Sequence, residues 1–285
     1  MSNPTSYPKI SDLGLLDYQL EIVERLLGNV HGLMVMAGPP ESGKTTVSYT
    51  LLRHLAEAPV RVVSIEERIE HLLPNVSQVG VDREIGFDMS AAVCAVMNHD
   101  PDILMIGELA DRETAALALR IALTGHMVLT TMAGDDAVSA ISDLFNLGVE
   151  RYLIADVLLA ICCQRLVGTV CMECAGSDAP ARDHLRRLGL NEAGTPAADF
   201  KRGRGCAACN QSGCGAPSPV YEILEITPEL REQLRKDVAP AQLQQLAAEV
   251  GYRDVRYDLR QRVTSGCVTA AEAFGVLQGM GQEVE

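Results

Sequence analysis

The chain has 285 residues, 47% hydrophobic and 22% charged, enough to bury one large core or two smaller ones. Its formal net charge of −14 argues against wrapping nucleic acid, because neutralising phosphates needs a net basic face and only a small local basic patch is left open. The first eight residues lack the charged-then-apolar pattern of a secretory signal, and no apolar run reaches the ~20 residues of a membrane span, so a cytosolic chain is expected.

In chain order, apolar residues recur at helical spacing over residues 15–27 and Gly28 closes the segment, which predicts a first amphipathic helix. A buried strand is predicted at 33–37, then a glycine-rich turn, a helix over 46–56 and a second strand at 60–65. Further strands are predicted at 103–106 and 127–131, with helices at about 89–98, 111–123 and 136–147. The apolar run 152–163 reads as a buried helix holding Cys162 and Cys163. Alternating strands and helices indicate an α/β domain on a mostly parallel sheet. Beyond Val170 the pattern loses its period and becomes rich in Cys, Gly and Ala; helical periodicity returns after Thr227, broken by Pro240, Gly251 and Gly266. The expected organisation is a lead-in over 1–30, a nucleotide-binding core over 31–170, a zinc-binding excursion over 171–217, and a strand with a helical lobe over 218–285.

The run Gly38-Pro39-Pro40-Glu41-Ser42-Gly43-Lys44-Thr45, followed by Thr46, fits G-x-x-x-x-G-K-[ST] between a predicted strand and a predicted helix. Glycine at 38 and 43 lets backbone N–H groups face a phosphate, the helix adds its positive dipole end, Lys44 reaches the β and γ phosphates, and the Thr45 hydroxyl is a magnesium ligand. A partner carboxylate belongs at the end of a neighbouring strand, and Glu108, closing Ile103-Leu104-Met105-Ile106-Gly107, is the candidate for polarising the attacking water. Glu66, Glu67 and Glu70 follow the second strand, either as a solvated acidic turn or as a second acidic group in the same crevice, with Glu70 the preferred candidate.

Of nine cysteines, Cys171 with Cys174 and Cys206 with Cys209 form two Cys-x-x-Cys hooks of the kind that close a thiolate site around zinc. The 31 residues between the hooks exceed a usual zinc-ribbon interval, and a helix within 178–187 takes up the excess. Four thiolates leave no open coordination position, so the expected zinc is structural.

These residues resemble the type II secretion and type IV pilus assembly ATPases, the GspE and PilB group of ring-forming motors. The resemblance is carried by residues 38–45, by Ile65-Glu66-Glu67-Arg68-Ile69-Glu70, by residues 73–79 and by His99-Asp100-Pro101-Asp102 running into Glu108. It continues through Asp111-Arg112-Glu113-Thr114-Ala115, residues 123–131 around His126, Gly148-Val149-Glu150 and Gln164-Arg165-Leu166-Val167. It implies a RecA-like P-loop domain with an acidic box at 66–70, a Walker B element ending at Glu108 and a histidine box containing His126; taken alone, His126 also reads as a structural histidine. Catalytic roles for Glu108, Glu70 and His126 follow from it, as do ATP and Mg²⁺, a homo-hexamer or an assembly with a full-length ATPase, and an inner-membrane platform protein as partner. The implied place is cytoplasmic, peripheral to the inner membrane through that partner.

Several positions depart from the family's pattern. Cys94, Asn98 and Ala110 stand where relatives carry arginine, Ala133 where they carry a second histidine, and Glu67-Arg68 where they carry Asp-Pro. Arg68, Arg83 and Arg112 are the candidate substitutes. Phosphoryl transfer depends on neutralising charge on the γ-phosphate, and a missing arginine finger costs about 10³ to 10⁵ in rate. Two readings therefore stand: an ATP-hydrolysing motor domain, or a catalytically weakened nucleotide-binding assembly subunit. A DNA-translocating motor is disfavoured by the acidic charge.

Overall fold

The computed structural model describes residues 7–190, 199–236 and 238–280. Continuous apolar runs, the signature of strands buried on both faces, build the main sheet. Its strands are β1 (Gly32–Ala37), β2 (Val62–Glu66), β3 (Val76–Gly80), β4 (Ile103–Glu108), β5 (Met127–Met132), β6 (Leu158–Val167) and, after the hairpin strands β7 (Ala175–Ser177) and β8 (Lys201–Gly203), β9 (Ser218–Glu225). The order is β3-β2-β4-β5-β1-β6-β9. Every pairing from β3 across to β6 is parallel. The helices are α1 (Asp17–Leu27), α2 (Lys44–Leu55), α3 (Met89–Met97), α4 (Arg112–Leu123), α5 (Ala137–Asn146), α6 (Arg151–Val157), α7 (Arg182–Arg187), α8 (Pro228–Leu234), α9 (Pro240–Glu249), α10 (Val255–Thr264) and α11 (Ala270–Gly279).

The chain divides into two units, the first from residues up to Gln164 together with Ile223–Tyr252, the second from Arg165–Glu222 together with residues from Arg253 onward. In the first, Leu33, Val35, Ile65, Leu104, Ile106 and Val128 face a cluster that includes Val93, Leu119 and Ile141. Ala115, Ala118 and Ala122 are fully buried along α4, and their small size lets the helix axis approach the strands. Aspartates start three helices of the first unit: Asp88, Asp111 and Asp136 accept from Ala91, Thr114 and both Val138 and Ser139 backbone N–H groups, each cap contributing about 1 kcal/mol.

Two readings of the sequence are corrected. The run 152–163 is not one helix: α6 ends at Val157 and β6 begins at Leu158. An unbroken apolar run has no period to separate helix from strand. Here the helix is stopped by Arg231 of α8, whose guanidinium donates to the carbonyls of Ala155 and Leu158. Cys162 and Cys163 therefore lie on a strand, beside Met36 and Ala37 of β1. The helices after Thr227 also do not form one lobe. Leu230, Leu234, Leu243 and Ala247 of α8 and α9 join the first unit's core, whereas Leu259, Val263, Ala273 and Leu277 of α10 and α11 pack in the second with Val167, Leu188 and Val220. Among the described residues of 178–187, the helical part is α7.

The second unit is centred on Asp258, which is fully buried and receives Arg262 Nε at 2.5 Å and the Tyr221 backbone N–H at 3.0 Å. Arg262 also donates to Ser218 Oγ at 3.0 Å, and buried Glu222 accepts the Val255 N–H at 2.8 Å, tying β9 to the start and middle of α10. Removing one partner of a buried ion pair strands the other, so Asp258→Ala is expected to destabilise the second unit by about 3–5 kcal/mol. Urea denaturation monitored by circular dichroism checks this, and a loss under 1 kcal/mol contradicts it.

Candidate functional site

The parallel register brings the C-terminal ends of β1, β5 and β6 together: Ala37 stands beside Met132 and Cys163. Crevices at strand C-termini are where α/β sheets bind ligands. Here the chain leaves β1 and turns through residues 38–43 into α2. Gly38 and Gly43 have φ of 152° and 91°, and Glu41 also sits at positive φ, 61°. A Cβ on Gly38 would lie 2.5 Å from the Gln164 carbonyl and 2.6 Å from Ser42 Oγ, and one on Gly43 would lie 2.8 Å from Gln164 Nε2. Both glycines are thus required by space as well as by dihedral angle. Gln164, 5% exposed, forms the floor of the loop. The sequence reading gave it no site role, because its place follows from the β1–β6 pairing, which the helical reading of 152–163 concealed.

Lys44 Nζ donates to the carbonyls of Gly38 at 2.7 Å and Pro39 at 2.9 Å. Burial pushes its ammonium pKa down, against the opposing pull of the Glu108 carboxylate and Cys163. The Ser42 hydroxyl is buried inside the loop with no hydrogen-bond partner among the described residues. An orphaned hydroxyl in a loop of this shape fits an oxygen of a bound anion. Pro40 and Thr46 are exposed at its edges, and the Thr46 carbonyl accepts from Thr50 Oγ1 at 2.8 Å.

Thr45 Oγ1 donates to Glu70 Oε1 at 3.2 Å, so the two carry oxygen donors side by side, the set a hard divalent cation takes. Glu66 is different in kind, 5% exposed and held by Ser64 Oγ at 2.5 Å, Gln78 Nε2 at 3.3 Å and the Tyr49 hydroxyl. Glu67 points outward and pairs with Arg83 at 2.5 Å. Glu108 closes β4 as an exposed residue just past a register irregularity, and Thr130 Oγ1 fixes the preceding Gly107 carbonyl at 2.7 Å. Its carboxylate lies within electrostatic range of Lys44.

His126 is not brought to this site. It immediately precedes β5, its carbonyl accepting the N–H of Gly32 at the start of β1, and its Nδ1 lies 3.2 Å from both Thr124 Oγ1 and the Ile121 carbonyl. Six residues of strand at about 3.3 Å each put it roughly 20 Å from the loop end of β1 and β5. It lines a cavity of about 640 Å³ at the opposite edge of the sheet, with His54, Asp100 and Asp102. Within this chain His126 is therefore no catalytic partner of Lys44. Of the candidate substitute arginines, Arg83 is engaged with Glu67, Arg112 packs over Gly148, and Arg68 is exposed on the acidic turn.

In the second unit the strands β7 and β8 pair antiparallel and bring the two cysteine hooks together. The Sγ atoms of Cys171, Cys174, Cys206 and Cys209 all lie within 4.8 Å of one another, with Cys171–Cys206 and Cys174–Cys209 at 3.9 Å and Cys206–Cys209 at 3.7 Å. The edge of a tetrahedron built on zinc–thiolate bonds of ~2.3 Å is about 3.8 Å. Backbone N–H groups of Cys206 and Gly213, each 3.2 Å from Cys209 Sγ, push that thiol down to about 6, whereas burial pushes Cys174 up to about 11. Gly203 and Gly213 approach so closely that a Cβ on Gly203 would lie 1.9 Å from the Gly213 carbonyl oxygen.

Comparison with known proteins bears on the family and the fold. The family described as Type II/IV secretion system protein matches residues 1–275. The chain is 31% identical over 274 residues to the type IV pilus assembly ATPase PilB of Thermus thermophilus, covering 96% of this chain and 31% of that protein. It is 34% identical over 268 residues to the type II secretion system protein HxcR of Pseudomonas aeruginosa, covering 94% and 53%. The chain thus spans about a third to a half of the length of these curated relatives. In fold it is similar to the pilus retraction motor PilT with bound ADP (TM-score 0.72, 22% identity, 96% of this chain and 68% of that one) and to the Legionella pneumophila ATPase DotB (TM-score 0.71, 20% identity, 97% and 68%). Because that family's model spans residues 1–275, nearly the whole sequence, the chain belongs to the Type II/IV secretion system protein family.

Proposed function

We propose that this chain is the ATP-binding and hydrolysing part of a secretion or pilus-assembly motor. One observation carries the reading: a complete phosphate loop whose Lys44 and Thr45 stand between the carboxylates of Glu70 and Glu108. Residues 38–43 offer their N–H groups to the phosphates, and Lys44, swinging from the Gly38 and Pro39 carbonyls, neutralises charge on the β and γ oxygens. Magnesium, when bound with the nucleotide, draws charge off the phosphate oxygens; Thr45 and Glu70 are the residues that would hold it. Glu108 orients the attacking water and takes its proton. The resemblance to ring-forming motors extends the proposal to a ring, a hexamer of this chain or an assembly with a longer ATPase, working against a platform protein at the cytoplasmic side of the inner membrane.

A second reading, a nucleotide-gated assembly subunit with little turnover, is favoured by the charge around the loop. Cys94, Asn98 and Ala110 bring no cation there, and Arg83 is committed to Glu67. Turnover decides between them. In the motor reading, phosphate release by the wild-type chain is abolished by Lys44→Ala, while Glu108→Gln keeps nucleotide binding and loses about 10²- to 10⁴-fold in rate. Tight binding of Mg-ATP by wild type with no release above background selects the second reading.

We further propose that the four cysteines hold one structural zinc ion, on the strength of sulfur spacings that match a tetrahedral thiolate site. Elemental analysis of chain purified without chelator is expected to show about one zinc per chain, and Cys206→Ser to release it and unfold the second unit. Absence of metal, with all four thiols modified as fast as exposed Cys94, rejects the assignment.

A further inference from the structure

Glu66 and Tyr49 have no part in the phosphate chemistry above, yet they form a buried polar contact beside it. Tyr49 lies on α2 four residues beyond Thr45, on the same helix face, and is fully buried. Its hydroxyl donates to the Glu66 carboxylate and accepts the backbone N–H of Glu70 at 3.3 Å. The same Glu66 carboxylate receives Gln78 Nε2, which also donates to the His71 carbonyl at 3.0 Å, and Gln78 Oε1 accepts the Leu73 N–H at 2.6 Å. The turn carrying Glu70 is therefore strapped on both sides to one buried carboxylate. That carboxylate is held by three neutral donors, so its burial depends on Tyr49, Ser64 and Gln78 staying in place.

From this geometry we infer that Tyr49 is a positioning residue for the metal–nucleotide site: it fixes the backbone at Glu70, and so holds the Glu70 carboxylate at the Thr45 hydroxyl, with Glu66 as its buried anchor. The inference rests on the ATPase reading. Helix α2 then carries both the hydroxyl that faces the cation and the phenol that sets the opposing carboxylate, which couples the phosphate loop to the acidic turn through a single helix. The phenol must stay protonated to donate, and burial together with Glu66 pushes its pKa upward, far from neutral pH. The Tyr7 ring packs on Tyr49 at a centroid distance of 5.1 Å and closes the cluster from the other side.

The test is binding of a fluorescent ATP analogue to the full chain, with Mg²⁺ chelated and with Mg²⁺ titrated, for wild type and Tyr49→Phe. Loss of the hydroxyl is expected to leave metal-free affinity within about twofold and to raise half-saturating Mg²⁺ about tenfold, the effect of one lost hydrogen bond. It should also lower kcat with little change in KM at saturating Mg²⁺. Unchanged Mg²⁺ dependence in a folded Tyr49→Phe, or an equal loss of affinity with and without the metal, overturns the inference and leaves the ATPase reading standing. No nucleotide binding by wild type removes both. Should Tyr49→Phe fail to fold, Gln78→Leu, which cuts the other strap at a half-buried position, must show the same selective rise in half-saturating Mg²⁺; metal dependence like that of wild type overturns the inference equally.

Discussion

The parallel register of β1 with its two neighbours is the constraint on which the rest of the first unit depends. Because Ala37 ends level with Met132 and Cys163, the chain has to turn at a crevice already walled by β5 and β6, and the walls decide which residues can make the turn. Gln164 fills the space where side chains at positions 38 and 43 would go. The loop's glycines are thus selected twice, by positive φ and by the neighbouring strand, and that double requirement holds the loop in a phosphate-ready shape. The acidic turn inherits its place from the same sheet, since β2 delivers Glu66 into the interior at the level where α2 begins.

How much of this was legible in the sequence differs by element. The loop, β4 with Glu108 and the helices that begin near 89, 111 and 136 were readable because turn chemistry and apolar spacing are local signals. β6 was not, since an apolar run buried on both faces has no period, and the residue that ends α6, Arg231, lies more than 70 positions away. That miss propagated: with 152–163 taken as a helix, Gln164 had no reason to lie under the loop. His126 failed for the opposite reason. Its place just before β5 is plain in the sequence, but it is the parallel pairing of Gly32 with Met127 that puts this end of β5 beside the start of β1, away from the loop.

The second unit answers a different problem. Its apolar cluster is small, so polar and sulfur contacts carry more of its specification. Asp258 and Glu222 spend buried carboxylates on backbone N–H groups of β9 and α10, and the cysteine hooks close a stretch otherwise poor in regular structure. A zinc–thiolate site of the kind proposed would define geometry without requiring a large core, and so would let a segment rich in Gly and Ala fold there.

The balance of charge at the nucleotide site links these parts. Glu108 lies within electrostatic range of Lys44, Glu70 accepts from the neighbouring Thr45, and Glu66 adds a third carboxylate joined to the same turn through Tyr49. Like charges brought together in a partly shielded site repel, so phosphates entering beside these carboxylates meet an opposition that a single lysine offsets only in part. The exposed carboxylates have solvent to screen them, but Glu66 does not, and its charge is tolerable only because Ser64, Gln78 and Tyr49 are fixed around it. On the proposed ATPase reading, a site with this sign would favour nucleotide that arrives with a divalent cation over nucleotide without one. The same acidity that weakens bare phosphate binding would then become selectivity for the metal complex, provided Glu70 is held close enough to Thr45 to share the ion.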